Sequence, residues 1–297
     1  MTRSLNRREL IAALLLSQAL PVGARSTGRP SRVAVLDWGL TSTVLALGIE
    51  PVGIAEIDLY RRWAAEPPVP PGVQDIGLRT EPNLEVIAAL EPDLIITTPF
   101  SESVRPLLER IAPTRSYATY TASGEPLEQS RRIMRDIARE LGVESRAEAV
   151  LAEADATFDA ARRALVGRAL RPLLLAGFMD ARHVRIYGAN SLFGDVLNRI
   201  GVPNAWDRPT NYWGFSLVGV SDLAAYPDAQ LVAIEPIPAD APVNREGPGL
   251  WQNLPFVRAG RITTLPTAWA FGDVVAAGRF ARLLSQNLLA HEPARAS

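Results

Sequence analysis

The stretch 145–170, "SRAEAVLAEADATFDAARRALVGRAL", is rich in alanine and places apolar side chains at helical spacing. Six of them follow one another at steps of four and three residues: Ala147, Leu151, Ala154, Phe158, Ala161 and Leu165. This spacing puts all six on one face of an α-helix. A helix over residues 145–168 would be roughly 36 Å long, enough to run from one lobe of a protein to another. A coiled-coil dimer helix is the rival interpretation, but it should sustain more heptads with flanking charge pairs.

The segments on either side of this helix resemble each other. "RVAVLDW" (32–38) and "RPLLLAGF" (171–178) both read as buried strands, and each is followed by a helix that ends at a glycine, Gly48 or Gly201. "NLEVIAALEPDLIITTPF" (83–100) and "VSDLAAYPDAQLVAIEPI" (220–237) both combine a short helix, a Pro-Asp turn and a hydrophobic strand. We therefore predict an α/β protein with mostly parallel sheets, organised as lobes 30–144 and 169–297 joined by one long interlobe helix.

Composition excludes several classes of function. The chain has 297 residues, of which 47% are hydrophobic, so each lobe can build a core. The formal net charge is −1 and there is no long basic run, which argues against nucleic-acid binding. The absence of cysteine removes disulfides, zinc fingers and thiol catalysis, and only two histidines, His183 and His291, argue against a His-rich metal site.

The first 24 residues read as an export signal. Paired arginines, Arg7 and Arg8, precede an apolar run to about Leu20 and the small-residue pattern Val22-Gly23-Ala24. The run is too short to span a bilayer, which takes about 20 apolar residues. "NRREL" resembles a twin-arginine signal; Sec export and an amphipathic surface helix are the alternatives. We expect the mature chain to lie in the bacterial envelope, in the periplasm.

Several tryptophans lie beside turns, where core packing does not obviously require them: Trp63, Trp206, Trp213 and Trp269. A tryptophan ring is a large apolar surface with a single donor, so it is costly to leave in water. Each of these residues could seal a loop or contact a ligand. Together they fall in corresponding loop regions of both halves, where ligands bind in open α/β sheets.

Arg79 lies in "DIGLRTEPNLE" (75–85), just before a predicted helix. Thr80 is the expected N-cap, with Glu81 and Pro82 in the first turn. Helix N-termini favour negative charge, so Arg79 gains little from this helix, and we see no local partner for it. A surface arginine and a ligand-binding arginine both remain open at this point.

No catalytic motif competes with a binding role. The chain has no G-x-S-x-G elbow, no phosphate-binding G-x-x-x-x-G-K-[ST] loop and no H-E-x-x-H. His183 lies in "DARHVRIYG" (180–188), a predicted hairpin with Asp180 nearby, and a surface turn accounts for it.

A resemblance emerges from several segments: "LRTEPNLE" (78–85), "GANSLFG" (188–194), "GVPNAW" (201–206), "TNYWG" (210–214) and "LPFVRAGRI" (254–262). With the leader, "RRWAAEPPVP" (61–70) and "PTAWAFG" (266–272), they resemble the periplasmic ferric hydroxamate siderophore-binding proteins of ABC importers, the FhuD type. The resemblance covers nearly the whole mature chain. It implies the helical-backbone, class III form of binding protein, a monomer without cofactor or catalytic residues, which delivers its ligand to an inner-membrane permease and its ATPase.

The resemblance also implies roles for particular residues. Arg79 matches the arginine that bonds the hydroxamate oxygens around the iron, and Trp213 and Trp269 match cleft aromatics, with Trp63 on the same wall. The iron, saturated by siderophore oxygens, would need no protein ligand, and a guanidinium fork can address those oxygens. One departure concerns the family's cleft tyrosine, whose position here is Ser101, preceded by Phe100. Phe100 would supply a ring and Ser101 a shorter hydroxyl.

Acidic residues on each lobe of such proteins dock onto permease arginines, and Glu102 and Asp222 are the candidates here; an ordinary solvated charge is the alternative for both. The same fold could instead carry cobalamin, haem or a catecholate chelate. An exported hydrolase would need a nucleophile with a nearby base, and the sequence offers no convincing pair. A ligand-free interaction module is the third alternative.

Overall fold

The computed structural model describes residues 29–244 and 249–290. The predicted export signal, residues 1–24, lies outside the described residues. No helix in the described part of the chain is long and apolar enough to cross a membrane.

The first half of the chain builds a five-stranded sheet, in which every neighbouring pair of strands is parallel. Its strands are β1 (Val33–Val35), β2 (Gly53–Ile54), β3 (Gln74–Asp75), β4 (Leu94–Thr97) and β5 (Thr114–Ser116), in the spatial order β3-β2-β1-β4-β5. Its helices are α1 (Trp38–Ala46), α2 (Ile57–Trp63), α3 (Leu84–Ala89), α4 (Arg105–Leu108) and α5 (Pro126–Leu141). Every residue of β1 and β4 is buried, as expected for a parallel sheet covered on both faces.

The predicted long helix is present as α6 (Glu144–Leu165), and the six apolar residues of its predicted face are all buried. It ends three residues before the predicted end, because Val166 is extended and Gly167 has φ 76°. The buried face packs against helices of the same chain, α5 and two helices of the second half. A coiled-coil dimer is therefore not needed to cover it.

The second half builds another five-stranded sheet. Its strands are β6 (Leu173–Phe178), β7 (His183–Tyr187), β8 (Phe215–Gly219), β9 (Gln230–Ile234) and β10 (Ile262–Leu265), in the spatial order β10-β9-β6-β7-β8. Its helices are α7 (Leu192–Ile200), α8 (Pro255–Arg258) and α9 (Val274–Ala290).

This second sheet is mixed, which corrects the expectation of two mostly parallel sheets. Strands β6, β9 and β10 are parallel, whereas β7 and β8 run antiparallel to their neighbours. The predicted hairpin around His183 is the cause, because its short turn can join only antiparallel strands. The predicted helix at the start of 220–237 is also different, a 3₁₀ turn over Val220–Ala225.

The helix after Arg79 begins later than predicted. Asn83, not Thr80, is its N-cap, with Oδ1 accepting a hydrogen bond from the backbone N–H of Val86 at 3.1 Å. Arg79 therefore lies in the loop, four residues before the N-cap, and is not part of the first turn of the helix.

The two halves share one hydrophobic cluster, which includes Val33 of β1, Phe158 of α6 and Phe280 of α9. Helices α1 and α9 approach closely near their N-termini. A methyl group on Gly39 would lie only 3.2 Å from the Cα of Gly272, so this contact depends on the absence of a side chain.

Candidate ligand-binding site

A cavity of about 500 Å³ lies between the two halves, with lining residues from both. Asp37 and Thr98, which follow β1 and β4, reach it from the carboxyl ends of parallel strands, where α/β sheets usually bind ligands. Much of the lining is aromatic or cationic: Arg79, Arg185, Tyr212, Trp213, Trp269 and Phe271. Such a surface suits a ligand with an apolar body and exposed acceptor oxygens.

Arg79 is held in this cavity from two sides. Its Cζ lies 3.6 Å from the centroid of the Trp38 ring, and its Nε donates to Oε2 of Glu56 at 2.7 Å. The expectation that Arg79 has no local partner is thus wrong. Its two terminal nitrogens nevertheless have no hydrogen-bond partner within residues 29–244 and 249–290, so its outer donors remain free to meet a ligand.

The support beneath Arg79 is itself fixed. Trp38 is buried at the start of α1, and its indole Nε1 donates to the carbonyl oxygen of Ala55 at 3.3 Å. The backbone carbonyl of Arg79 accepts a hydrogen bond from Ser101 Oγ at 2.7 Å. The guanidinium is therefore pre-positioned, which lowers the entropy lost on binding.

Asp37 is a cavity residue that the sequence did not single out. Its Oδ1 accepts from the backbone N–H of Leu40 at 3.0 Å and so caps α1. Burial raises the pKa of this carboxyl, and the charge of Arg79 acts in the opposite direction but more weakly. The sequence signal for Asp37 was an acidic residue two positions after the first strand.

The predicted cleft tryptophans Trp213 and Trp269 both line the cavity. The ring of Trp269 lies 4.9 Å from that of Trp38 and 5.2 Å from that of Phe271. The ring of Trp213 lies 5.7 Å from that of Phe100, so residues of both halves form one aromatic wall.

Trp63 does not line this cavity, contrary to its predicted place on the same wall. Its ring lies 6.1 Å from that of Trp269, on the side of a smaller cavity that adjoins the main one. Trp63 thus supports Trp269 from behind, and its effect on a ligand in the main cavity would be indirect.

The pair Phe100 and Ser101 divides into two different roles. Phe100 lines the cavity with 62% of its surface exposed, which fits the predicted ring contact. Ser101 is fully buried, and its hydroxyl is committed to the carbonyl of Arg79. The expectation that Ser101 offers a hydroxyl to the ligand is corrected, since it positions Arg79 instead.

Two tyrosines that the sequence reasoning missed also line the cavity, Tyr120 and Tyr212. The hydroxyl of Tyr212 donates to the carbonyl oxygen of Tyr120, and the hydroxyl of Tyr120 donates to that of Ala270 at 2.8 Å. Burial raises the pKa of Tyr120, so it stays protonated. These bonds tie the first half to the second across the cavity. The sequence signal for Tyr212 was its position beside Trp213 in "TNYWG".

Arg185 is a second cavity arginine that was not predicted. Its Cζ lies 5.0 Å from the ring centroid of Phe215 and 5.9 Å from that of Phe271. Its neighbours on β7, Val184 and Ile186, are buried on the opposite face of the sheet. The alternation of residues in "HVRIY" indicates that Arg185 faces away from Val184 and Ile186. It does not show that the arginine faces a cavity.

The two predicted docking acids lie outside the cavity lining. Glu102 Oε1 is 3.3 Å from Nη1 of Arg105, and Asp222 Oδ2 accepts from the backbone N–H of Gly219 at 2.9 Å. Both residues are exposed, so their role in docking stays a prediction.

His183 is part of the exposed hairpin, as predicted. Its Nδ1 lies 2.8 Å from Oδ2 of Asp180, and this hydrogen bond is the largest cause that lowers the pKa of Asp180 to about 2. Neither residue lines the cavity. Within the described residues there is also no group of three or more His, Asp or Glu side chains that could hold a metal ion.

Comparison with known proteins gives matches over most of the chain. The family model described as "Periplasmic binding protein" matches residues 33–268. The Iron(3+)-hydroxamate-binding protein FhuD of Escherichia coli (strain K12) is 36% identical over 283 residues, which cover 94% of this chain and 95% of that protein. The Fe(3+)-citrate-binding protein YfmC of Bacillus subtilis (strain 168) is 28% identical over 80% of this chain and 73% of that protein.

Among solved structures, the siderophore-binding protein FhuD from Vibrio cholerae, with bound Fe³⁺-Desferal, superposes with a TM-score of 0.84. It is 32% identical, and the match covers 89% of this chain and 99% of that chain.

Proposed function

This chain belongs to the periplasmic binding protein family, and from that premise we propose that it captures a ferric hydroxamate siderophore in the cavity and passes it to an ABC permease. It is a binding protein, not an enzyme. The observation that carries the ligand class is Arg79, fixed by Trp38 and Glu56 with both terminal nitrogens left for a ligand.

The chemistry of Arg79 suits this ligand. In a ferric hydroxamate the siderophore oxygens fill the coordination sphere of the iron, and their remaining lone pairs point outward. A planar guanidinium can donate to two such oxygens at once, and these charge-assisted bonds are among the stronger hydrogen bonds in proteins. The iron is part of the ligand in this proposal, so the protein supplies no metal ligand.

The aromatic wall supplies the remaining affinity. Trp213, Trp269 and Phe100 present apolar surface to the organic part of the siderophore, worth about 25 cal/mol for each Å² removed from water. This term depends on area more than on atomic detail. The site should therefore accept several related hydroxamates.

The two segments 30–144 and 169–297 act as the lobes that hold the ligand in this proposal, with segment 145–168 between them. The protein works as a periplasmic monomer after removal of residues 1–24. Glu102 on the first lobe and Asp222 on the second lobe meet arginines of the permease, whose ATPase drives transport. Support for the docking role is their exposure on opposite halves, outside the cavity lining.

Intrinsic tryptophan fluorescence of the mature protein tests the ligand class, since Trp213 and Trp269 both line the cavity. The titrants are ferric hydroxamates, the same chelators without iron, a ferric catecholate, cobalamin and haem, with calorimetry as a second readout. We expect saturable quenching by the ferric hydroxamates alone. Quenching only by another titrant, or by none, would leave the fold and overturn the ligand.

A further inference from the structure

Within the part of the chain that the structure describes, Arg185 has no oppositely charged partner. The residue lies in the middle of β7, paired with Gly177 on one side and Leu217 on the other, and its side chain lines the cavity. It is half-buried against the rings of Phe215 and Phe271. A guanidinium in such a place loses part of its hydration, and aromatic faces compensate only part of that loss.

The two cavity arginines differ in their partners. Arg79 has a carboxylate at hydrogen-bond distance, Glu56. For Arg185, no ion pair is found within the described ranges 29–244 and 249–290, and the nearby hydroxyl of Tyr187 is a neutral group. Glu235 borders the smaller adjoining cavity together with Arg185 but makes no ion pair with it. The positive charge of Arg185 is thus left for something that enters the cavity.

We propose that Arg185 selects ferric hydroxamates that carry a free carboxylate in addition to their iron-binding groups. A carboxylate is the anion that a guanidinium fork matches best, through two parallel charge-assisted hydrogen bonds. A ligand with a free ammonium group would instead meet an uncompensated positive charge. This inference rests on the proposed function and adds to it the charge of the preferred ligand.

The geometry allows one ligand to reach both arginines. Arg79 Cζ lies 5.9 Å from the Trp269 ring, that ring lies 5.2 Å from Phe271, and Arg185 Cζ lies 5.9 Å from Phe271. The two guanidiniums therefore lie along one continuous aromatic wall, within a single cavity. The iron centre at Arg79 and a carboxylate arm at Arg185 would place the organic chain across Trp269 and Phe271.

Three ferric complexes with the same iron centre separate charge from hydroxamate recognition: those of desferrioxamine B, of its N-acetyl derivative and of its N-succinyl derivative. Their free ends are cationic, neutral and anionic. For the wild-type protein we expect the succinyl complex to bind at least about tenfold more tightly than the amine complex, a factor equivalent to about 1.4 kcal/mol, with the acetyl complex between them. Higher salt should narrow the difference.

The variant Arg185→Gln should remove the preference for the succinyl complex, because it weakens that complex more than the acetyl complex. Arg208→Gln is the matched control. Arg208 also lies over aromatic rings, 5.4 Å from Trp206 and 5.6 Å from Tyr226, but it does not line the cavity. Circular dichroism and urea denaturation would show that Arg185→Gln is folded.

The outcomes separate this inference from the proposed function. Equal affinity of the wild-type protein for all three complexes would overturn the role of Arg185 and leave hydroxamate binding intact. An equal loss for all three complexes in Arg185→Gln would also overturn it, because Arg185 would then address the iron-bound oxygens. Failure of the wild-type protein to bind any of the three would overturn the proposed function itself.

Discussion

The guanidinium of Arg79 lies 3.6 Å above the centroid of the Trp38 ring. Trp38 is the first residue of α1, and it is buried, so a buried side chain of the first lobe sets the position of a charged group in the cavity. Glu56, from the loop before α2, fixes the Nε side of the same guanidinium. Trp38 and Glu56, both distant from Arg79 in the sequence, thus fix the guanidinium that we propose as the hydrogen-bond donor to the ligand.

Substitution of Arg79 should affect both binding and stability. Arg79→Ala removes the donor to the ligand and leaves the Glu56 carboxylate, whose side chain is only 12% exposed, without its partner. We expect affinity for ferric hydroxamates to fall more than tenfold and the free energy of unfolding to fall by about 1–3 kcal/mol. Calorimetric titration and urea denaturation measure the two effects.

The double variant Glu56→Gln/Arg79→Ala separates these effects. It has no unpaired carboxylate, so stability should recover while affinity does not. Recovery of affinity together with stability would show that Arg79 acts on the fold and not on the ligand.

The aromatic wall predicts a loss of affinity on truncation of Trp213. Trp213→Ala removes a ring that contacts Phe100 and the cavity, and we expect a loss of affinity on the order of tenfold from the lost apolar contact. Trp251→Phe is the control, because Trp251 is buried in the second lobe against Phe178 and Phe256, away from the cavity. Identical titration curves for Trp213→Ala and the wild type would contradict the placement of the ligand.

Asp273 predicts a pH-dependent stability. It precedes α9, and its carboxylate accepts hydrogen bonds from Ser42 Oγ at 3.1 Å and Thr43 Oγ1 at 2.8 Å, which joins the second lobe to α1. The Thr43 hydroxyl has one proton and two acceptors, Asp273 and the carbonyl of Gly39 at 3.0 Å. If Asp273 carries a proton, it can donate to the Thr43 hydroxyl, which then donates its own proton to the Gly39 carbonyl. This agrees with the effect of burial, which raises the pKa of Asp273 to about 6.

Because the folded pKa lies above the ordinary value of 3.8, the folded state binds more protons in the interval between them. The stability from this group is therefore complete at low pH and is lost as the pH rises towards neutrality, up to about 3 kcal/mol. Asp273→Asn, whose amide can donate to Thr43, should match the wild type near pH 4 and exceed it at pH 7. Burial also raises the pKa of Asp195 to about 6, but its contribution to stability is the same in both proteins and so cancels in this comparison. A difference that does not change with pH, measured by denaturation at each pH, would rule out this titration.

The docking proposal predicts a defect in transport without a defect in binding. Glu102→Arg reverses a charge that lies outside the cavity, so affinity for the ferric siderophore should stay the same while uptake into proteoliposomes with the permease falls several-fold. For Asp222, the substitution Asp222→Asn keeps an acceptor for the Gly219 N–H and removes only the charge. Normal uptake with a double variant, Glu102→Arg/Asp222→Asn, would show that the permease docks on another surface.

The elements of the fold could be predicted from local patterns. The buried face of α6 follows directly from the spacing of Ala147 to Leu165, because helical periodicity is a local property. The hairpin at His183 was also predicted, but its consequence for the sheet was not: a turn this short joins antiparallel strands, so the second sheet is mixed. The N-cap at Asn83 was missed because Thr80, a residue type that also caps helices, lies three residues earlier.

The site could be predicted only in part, because its contacts are long-range. The resemblance pointed to Arg79, Trp213 and Trp269, and all three line the cavity. No spacing rule shows that Glu56, 23 residues away, pairs with Arg79, or that Arg185 of a later strand faces the same space. The burial of Ser101 likewise depends on the backbone of Arg79 that it contacts, which the sequence alone does not place beside it.

The most direct test of ferric hydroxamate binding at Arg79 is a crystal structure of the mature protein with a ferric hydroxamate, with the iron located by its anomalous scattering. We predict one iron in the cavity, its hydroxamate oxygens within hydrogen-bond distance of the terminal nitrogens of Arg79, and the organic chain against Trp213 and Trp269. An iron outside this cavity, or one coordinated directly by protein side chains, would contradict the account.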